Sequence, residues 1–200
     1  MQSSRFLSTV RQRLQALAMD LRYGGYTGGV RESRFSHLGA NETASTRYAA
    51  LPHLLGPYLR SGDVLVDVGC GRGRVLNWVL HDGRAAVIYG LEIDPEIANE
   101  LRHRLRRHSK VRVLTGDALI LLPDDATIFY VWHSFEKDIM VKFRDAVIQK
   151  YGALGTLHAL RIVYHNAQYA EVWQDDTRCR VKEIPLPADE RHRGIVIEFQ

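Results

Sequence analysis

Five short apolar runs alternate with segments of helical periodicity across the middle of the chain. The runs are rich in β-branched residues, which is typical of strands buried on both faces of a parallel sheet. Between them, apolar positions recur every three or four residues, which predicts helices that cover the sheet. The predicted strands are 64–68, 86–93, 111–114, 126–132 and 157–164, and the predicted helices are 73–82, 95–108, 137–151 and 167–174.

Two further runs, 178–184 and 194–199, alternate apolar and polar residues and are joined by a connection rich in proline and charge. This pattern predicts an antiparallel pair that closes the sheet. Regular alternation of strand and helix predicts a parallel core with right-handed crossovers. We therefore predict an α/β fold, a doubly wound and mostly parallel seven-stranded sheet preceded by an N-terminal helical segment.

The N-terminal segment has its own pattern. Residues 4–22 predict an amphipathic helix that packs on the core or roofs a bound ligand. Its apolar stripe consists of Phe6, Val10, Leu14, Leu17 and Leu21. An organelle transit peptide would share the Ser- and Arg-rich start, but the stripe continues to the acidic Asp20 and no cleavage signal is evident. Tyr23 to Val30 holds four glycines and two tyrosines, which indicates a lid or a linker.

Length and composition limit the possibilities. Two hundred residues suit one compact domain over 61–200, with 1–60 as a helical arm and Gly/Tyr-rich lid. Cys70 and Cys179 cannot build a disulfide framework or a four-cysteine zinc site. No apolar run approaches the roughly 20 residues that cross a bilayer. We therefore predict a cytoplasmic protein, and the scattered spacing of the nine histidines predicts no metal site.

The net charge of +4 comes from the N-terminal part, since residues 1–62 hold eight arginines and three acidic residues. A basic segment favours an acidic substrate or a nucleic acid. The chain shows no RNA-binding module, however, and cations at the end of the predicted helix 95–108 are also favoured by the helix dipole. Nucleic acid is therefore the second choice of partner.

The candidate chemistry centres on a glycine turn after the first predicted strand. Gly69, Gly71 and Gly73 fall at alternate positions, where they allow a sharp turn and close approach of a ligand. The spacing differs from the G-x-G-x-x-G dinucleotide fingerprint, with Arg74 at the third glycine position, and no P-loop string occurs. Asp67 ends the strand, where burial requires a positive or hydrogen-bonding partner such as a ligand amino group.

The D-x-G-x-G-x-G pattern resembles motif I of the class I S-adenosylmethionine (SAM)-dependent methyltransferases. The resemblance covers about residues 60–200 and implies that the turn holds the amino-acid end of SAM, with Asp67 beside it. It places Glu92, 19 residues beyond Gly73 (92 − 73), on the ribose hydroxyls, where a doubly wound sheet puts such an acceptor. Ile93 would lie against the adenine and Asp117 near its amino group. The predicted cofactor-binding residues are Asp67, Gly69, Cys70, Gly71, Gly73, Glu92, Ile93, Asp117, Ala118 and Trp132.

More narrowly, the motifs YGGYTGG, DVLVDVGCGRGRV and IVYHNAQYAEVW resemble a bacterial group of small class I methyltransferases. That group is expected to carry Asn-Pro-Phe after the fourth strand and Tyr-Asn-Pro after the fifth, whereas this chain reads His-Ser-Phe and Tyr-His-Asn-Ala. His133 is the candidate general base, with Glu136 as a further catalytic candidate. The predicted substrate-binding residues are Tyr23, Tyr26, His133, Tyr164 and His165.

Several functions remain open at this stage. The first is methyl transfer to an oxygen or nitrogen atom of a small molecule. The Gly-Arg-Val end of the turn also resembles small protein-lysine methyltransferases, so a protein or RNA acceptor is the alternative. The departures at both strand junctions leave a catalytically silent SAM-binding module as a third reading.

Overall fold

The computed structural model describes residues 2–31, 43–132 and 134–200. Nine strands occur in the described ranges: β1 (Val30–Arg31), β2 (Thr43–Ala44), β3 (Val64–Val68), β4 (Val87–Glu92), β5 (Val111–Thr115), β6 (Ile128–Trp132), β7 (Arg161–His165), β8 (Cys179–Glu183) and β9 (Gly194–Phe199). The helices are α1 (Gln2–Arg22), α2 (Leu51–Leu54), α3 (Arg74–Asp82), α4 (Pro95–Leu105), α5 (Lys137–Ala153) and α6 (Glu171–Gln174).

Seven of these strands form one sheet in the order β5-β4-β3-β6-β7-β9-β8, which confirms the predicted doubly wound fold. The pairs from β5 to β7 are parallel, and β9 runs antiparallel to both β7 and β8. The chain proceeds outward from β3 to β5 and then returns to the other side of β3 with β6. A cleft for a ligand is therefore expected between the carboxyl ends of β3 and β6, where the strand order reverses.

The central strand β3 is buried on both faces because its side chains alternate between two apolar clusters. Val66 and Val68 pack toward α5, and Leu65 packs toward α3 and α4. Asp67 falls on the same side as Leu65, since side chains two apart share a face of a strand. The acid at the end of this strand is thus directed into the layer that holds α3 and α4.

The boundaries of α4 follow from local chemistry. Asp94 caps its N-terminus by accepting hydrogen bonds from the backbone of Glu96 and Ile97, and Pro95 occupies the first turn. The predicted fifth strand is shorter than expected, because residues Leu157–Ala159 form a 3-10 turn before β7 begins at Arg161. Residues 45–59, which contain Pro52 and Pro57, form only the short helix α2 and flanking turns.

The N-terminal helix α1 forms as predicted, but the expected packing of its apolar stripe is wrong. Val10, Leu14, Leu17 and Leu21 are exposed, with Leu14 at 62% and Leu21 at 63%. The helix instead packs through the opposite face, where Asp20 is fully buried and Met19 contacts the core. A buried hydrogen-bonding acid, rather than the leucine stripe, attaches α1 to the body of the protein.

Asp20 is the centre of that attachment. Its carboxylate accepts hydrogen bonds from the Thr27 hydroxyl at 2.5 Å, the Thr27 backbone N–H at 3.1 Å and the Tyr48 hydroxyl at 2.7 Å. It also forms an ion pair with Arg74 at 3.1 Å. Since Arg74 is the first residue of α3, this network fixes the segment after α1 against the start of the helix that follows the glycine turn. Within the described ranges, no helix combines the length and apolar character that spanning a bilayer requires.

Candidate cofactor and acceptor site

The glycine turn between β3 and α3 has the backbone that its sequence predicts. Gly69, Gly71 and Gly73 all have positive φ, at 70°, 50° and 75°, which is the left-handed region that favours glycine. The backbone N–H groups of Gly69 and Cys70 both donate to the carbonyl of Leu91 at 2.9 Å. The turn is therefore held against the end of β4.

Two of these glycines also lie in close contacts. A Cβ atom at Gly73 would be 2.5 Å from the buried side chain of Leu101 on α4, and one at Gly69 would be 3.0 Å from the Ser134 hydroxyl. Ser134 follows β6 and donates to the carbonyl of Val68 at 2.7 Å. The end of β6 is therefore attached to the end of β3, where the strand order reverses.

Glu92, the predicted ribose acceptor, is buried behind the turn. Its carboxylate accepts hydrogen bonds from the backbone N–H of Gly71 at 2.8 Å and of Asp94 at 2.9 Å. Burial raises the pKa of Glu92, although these backbone donors act in the opposite direction. A carboxylate offers about four lone-pair positions, so two bonds leave capacity for a ligand hydroxyl.

Asp67 is the least satisfied acid of the site. Its side chain is buried, and its Oδ2 atom has no hydrogen-bond partner among the described residues. Burial, and secondarily the charge of Glu92, raises the pKa of Asp67 well above its usual value. A buried acid without a partner destabilises the protein, and a cationic group placed beside it would offset that cost.

A pocket of about 180 Å³ lies at the carboxyl ends of β3, β4 and β5. Its lining includes four of the predicted cofactor residues: Gly69, Ile93, Asp117 and Ala118. It also includes Leu91, Gly116, Leu119, Ser134, Phe135 and Ile139, of which sequence reasoning selected none as a site residue. The walls are mainly apolar, while Asp117 is exposed and accepts one hydrogen bond, from the backbone of Leu119 at 2.8 Å. Such a pocket suits a flat heterocycle with a polar edge.

Cys70 packs between the glycine turn and β4. The buried Cys70 sulfur lies 2.7 Å from the position that a Cβ atom on Gly90 would take, so it fills the space between the turn and β4. Burial raises the pKa of the Cys70 thiol well above its usual value. Both cysteines are free and buried, and a buried thiol with a raised pKa is a poor nucleophile.

The ends of β6 and β7 bring Trp132 and His165 together on the sheet face that carries Asp67. The two residues are in register, their ring centroids are 6.3 Å apart, and Tyr130 lies in register with Asp67. His133, the candidate base, lies outside the described residues. Glu136 immediately precedes α5 at this edge and accepts a hydrogen bond from the Tyr169 hydroxyl at 2.8 Å.

Three predicted substrate residues lie elsewhere. Tyr164 is fully buried on the opposite face of β7 from His165, packed in the core beside α5, and burial raises its pKa to about 12. Tyr23 is buried against the ring of His108, which follows α4. Tyr26 is 65% exposed. The structure therefore does not bring these tyrosines to His165 and Trp132.

A second, larger cleft of about 740 Å³ lies between the end of α1 and the end of α4. Its lining is strongly basic: Arg22, Tyr23, Gly24, Glu100, His103, Arg104, Arg106, Arg107 and His108. Arg104 joins this cleft to the glycine turn, since its guanidinium donates to the carbonyl of Arg72 at 2.6 Å. The sequence predicted a solvated basic face here, and the structure makes it concave.

Sequence reasoning also missed a histidine-carboxylate cluster formed by His165, Glu190 and His192, whose donor atoms all lie within 4.8 Å of one another. Glu190 and His192 belong to the connection between β8 and β9, which folds back over the end of β7. In the sequence, the only sign of this cluster is that Glu190 and His192 lie two positions apart. That spacing is too common to identify a metal site.

Comparison with known proteins finds a matching family model and several similar folds. Residues 65–153 match the family model of a methyltransferase domain, whereas none of the curated proteins matches the chain. Similar solved structures include Sp1610 of Streptococcus pneumoniae bound to S-adenosyl-L-methionine and assigned as a tRNA methyltransferase, with a TM-score of 0.56, 15% identity and coverage of 73% of this chain and 70% of that one.

The mitomycin 7-O-methyltransferase MmcR has a TM-score of 0.56 and 18% identity over 70% of this chain and 49% of its own. A mutant of MtNAS in complex with S-adenosylmethionine has a TM-score of 0.56 and 19% identity over 74% of this chain and 62% of its own. The chain thus spans between 49% and 70% of the length of these three proteins. At such low identities, the likeness establishes a shared fold.

Proposed function

We propose that the protein is a SAM-dependent methyltransferase that transfers the methyl group of SAM to an oxygen or nitrogen atom of a small molecule, since residues 65–153 match the family model of a methyltransferase domain. The observation that carries this proposal is the position of Asp67. Its buried Oδ2 has no hydrogen-bond partner among the described residues, and it lies behind a turn whose glycines leave the backbone bare. The ammonium group of SAM would supply the missing partner.

The other residues of the site fit the remaining parts of SAM. Glu92 would accept the ribose hydroxyls with the lone pairs that Gly71 and Asp94 leave free. Ile93, Ala118 and Phe135 would enclose the adenine, and the exposed Asp117 would accept its amino group. These assignments rest on the pocket lining and on the resemblance of the sequence motifs.

The acceptor would lie at the carboxyl ends of β6 and β7, beside Trp132 and His165. This position follows from the shared face of the sheet, because Asp67, Tyr130, Trp132 and His165 all project from the same side. SAM supplies an already activated methyl group, so the protein contributes mainly by holding the acceptor in line with it. A base is needed only where the acceptor must lose a proton, and His133 stays the predicted candidate.

A small acceptor is favoured by the cover over the glycine turn. Thr27 is buried and bonded to Asp20, and the guanidinium of Arg72 donates to the carbonyl of Gly28 at 3.0 Å. The segment after α1 is thus fixed against the turn, which restricts the space available to a large acceptor. We also propose that the protein works in the cytoplasm, where its two free thiols would stay reduced.

A specific observation supports a second candidate, methyl transfer to RNA. The basic cleft between α1 and α4 is joined to the turn through Arg104, and a concave basic surface beside the methyl donor suits a phosphate backbone. One structural neighbour is assigned as a tRNA methyltransferase. In that case, methyl transfer would depend strongly on salt and on Arg106 and Arg107.

One experiment separates these outcomes. The protein is incubated with methyl-labelled SAM and a cell extract, which is then fractionated into small molecules, protein and RNA. We expect label in the small-molecule fraction and none with Asp67→Ala. Label in RNA or protein would overturn the proposed acceptor class. Calorimetry with SAM should show micromolar binding, and an absence of binding by the wild-type protein would overturn the cofactor site itself.

A further inference from the structure

The cluster of His165, Glu190 and His192 has the composition and spacing of a metal site. The distance from His165 Nε2 to Glu190 Oε1 is 3.7 Å, and the distance from His192 Nδ1 to the same oxygen is 3.0 Å. Zinc ligands lie about 2.0–2.2 Å from the ion in a tetrahedron, which places neighbouring ligand atoms about 3.4 Å apart. The donor atoms of the two histidines lie within 4.8 Å of each other, so the side chains must move closer together to surround one ion.

His165 is prepared for this role by its surroundings. Its Nδ1 atom lies 3.1 Å from the Tyr130 hydroxyl, which in turn lies 2.8 Å from the Thr46 hydroxyl. When Nδ1 carries the proton and donates to Tyr130, the lone pair of Nε2 is free to bind an ion. Metal-binding histidines are commonly oriented by such a second hydrogen bond.

Within the described ranges, the Nε2 atom of His165 makes no hydrogen bond that would compete with metal binding. It is buried and has no hydrogen-bond partner among the described residues. The near oxygen of Glu190 already accepts hydrogen bonds from the backbone N–H groups of Arg191 and His192 at 3.1 and 3.2 Å, so an ion bound between the side chains would supply the partner that His165 Nε2 lacks.

The charges around the cluster allow a cation. Arg47 lies 3.9 Å from the far carboxylate oxygen of Glu190, but its guanidinium is also bonded to the Asp189 carboxylate at 2.8 Å. The near oxygen of Glu190 faces the two histidines. The ring of Trp132 lies 6.1 Å from that of His192 and shields one side of the cluster.

We propose that His165, Glu190 and His192 bind one divalent transition-metal ion of the zinc class. Two imidazoles and one carboxylate suit Zn²⁺ and neighbouring ions, and three protein ligands leave one position open for water or another ligand. The ion would fasten the connection before β9 to the end of β7. This site goes beyond the proposed methyl transfer and does not depend on SAM binding.

Calorimetric titration of the chelator-treated, full-length protein with Zn²⁺ tests the proposal. His192 is the best position to change, because its side chain is 43% exposed and its loss should not disturb folding. We expect one Zn²⁺ per wild-type chain, and a loss of about tenfold or more in affinity with His192→Asn and with Glu190→Gln. His158→Asn, which changes an exposed histidine elsewhere, should bind Zn²⁺ like the wild type.

Two further measurements make the result specific. Co²⁺ should give a visible absorption spectrum that His192→Asn removes, and Tyr130→Phe should weaken Zn²⁺ binding about tenfold through the loss of its bond to His165. Asp67→Asn should bind Zn²⁺ normally, so a failed cofactor site and a failed metal site are distinguishable. Equal Zn²⁺ affinity in the wild type and His192→Asn, or no Zn²⁺ binding by the wild type, would overturn the proposal.

Discussion

The backbone N–H of Gly71 donates to the Glu92 carboxylate at 2.8 Å, which joins the middle of the glycine turn to the end of the neighbouring strand. The other carboxylate oxygen accepts from the backbone of Asp94 at 2.9 Å, at the start of α4. One acidic side chain therefore holds two separate loops in place. The residue proposed to bind the ribose also supports the turn that would hold the rest of the ligand.

Glu92→Gln is expected to weaken both the fold and the cofactor site. The glutamine side chain has one acceptor oxygen and one NH₂ group, so it can accept from only one of the two backbone N–H groups that Glu92 binds. The other buried N–H loses its partner at a cost of about 1–3 kcal/mol. SAM affinity should fall about tenfold or more. Thermal denaturation and SAM calorimetry measure the two effects. Glu100→Gln, at an exposed position of α4, is the control and should behave like the wild type; equal behaviour of both variants would contradict this role for Glu92.

Asp67→Asn is expected to stabilise the free protein while it removes SAM binding. The folded state holds the Asp67 proton to a higher pH than the unfolded chain does, because burial raises its pKa. The free energy of unfolding should therefore fall as the pH rises from about 4 through the raised folded-state pKa.

The free energy of unfolding of Asp67→Asn should not fall with rising pH in this way. At pH 7 it should exceed that of the wild type by on the order of 1–3 kcal/mol, which is the cost of a buried polar group without a partner. Chemical denaturation between pH 4 and 8 measures the effect. Asp124→Asn, which changes an exposed acid paired with Lys150, should keep the wild-type pH profile. A variant Asp67→Asn less stable than the wild type at pH 7 would show that the acid has a partner in the free protein.

Gly73→Ala should cost more stability than Gly83→Ala, although both glycines have similar positive φ angles, 75° and 84°. A Cβ atom at Gly83 meets nothing within 4 Å, whereas one at Gly73 would lie 2.5 Å from Leu101. Both variants bear the backbone cost of about 1–2 kcal/mol, and Gly73→Ala adds about 1–3 kcal/mol of overpacking. Denaturant titration gives the difference, and equal costs would mean that α4 can move away from the turn.

The N-terminal helix provides a fourth prediction. Leu14→Gln should change the free energy of unfolding by no more than about 0.5 kcal/mol, since this side chain is exposed. Asp20→Asn should lower it by about 3 kcal/mol, because the largely covered Arg74, whose side chain is 12% exposed, loses its ion-pair partner. Thermal denaturation compares the two variants. A larger loss with Leu14→Gln than with Asp20→Asn would mean that the leucine stripe is covered in solution.

The sequence by itself determined the sheet and the position of the glycine turn. Buried parallel strands are continuous apolar runs, and a left-handed turn in close contact requires glycine, so both features are readable from local residue types. The sequence also selected Asp67 and Glu92 correctly as the acids at two neighbouring strand ends, because parallel strands bring their carboxyl ends to one edge.

Tertiary structure decided which face of α1 is buried and which side chains of β7 face the site. On α1, the apolar stripe predicted the buried face, yet the hydrogen bonds of Asp20 with Thr27, Tyr48 and Arg74 turn the other face inward. On β7, the neighbours Tyr164 and His165 were predicted to share a pocket, but adjacent strand residues project to opposite faces and Tyr164 belongs to the core.

The meeting of His165 with Glu190 and His192 was likewise decided only by the fold. These residues are joined by the return of the chain after β8, and no periodicity or local spacing records which loop lies over which strand end. Local patterns specify strands, turns and the strand-end acids because those depend on neighbouring residues. Contacts between distant segments depend on how the complete chain packs, and those contacts determined the residues beside which we propose that the acceptor binds.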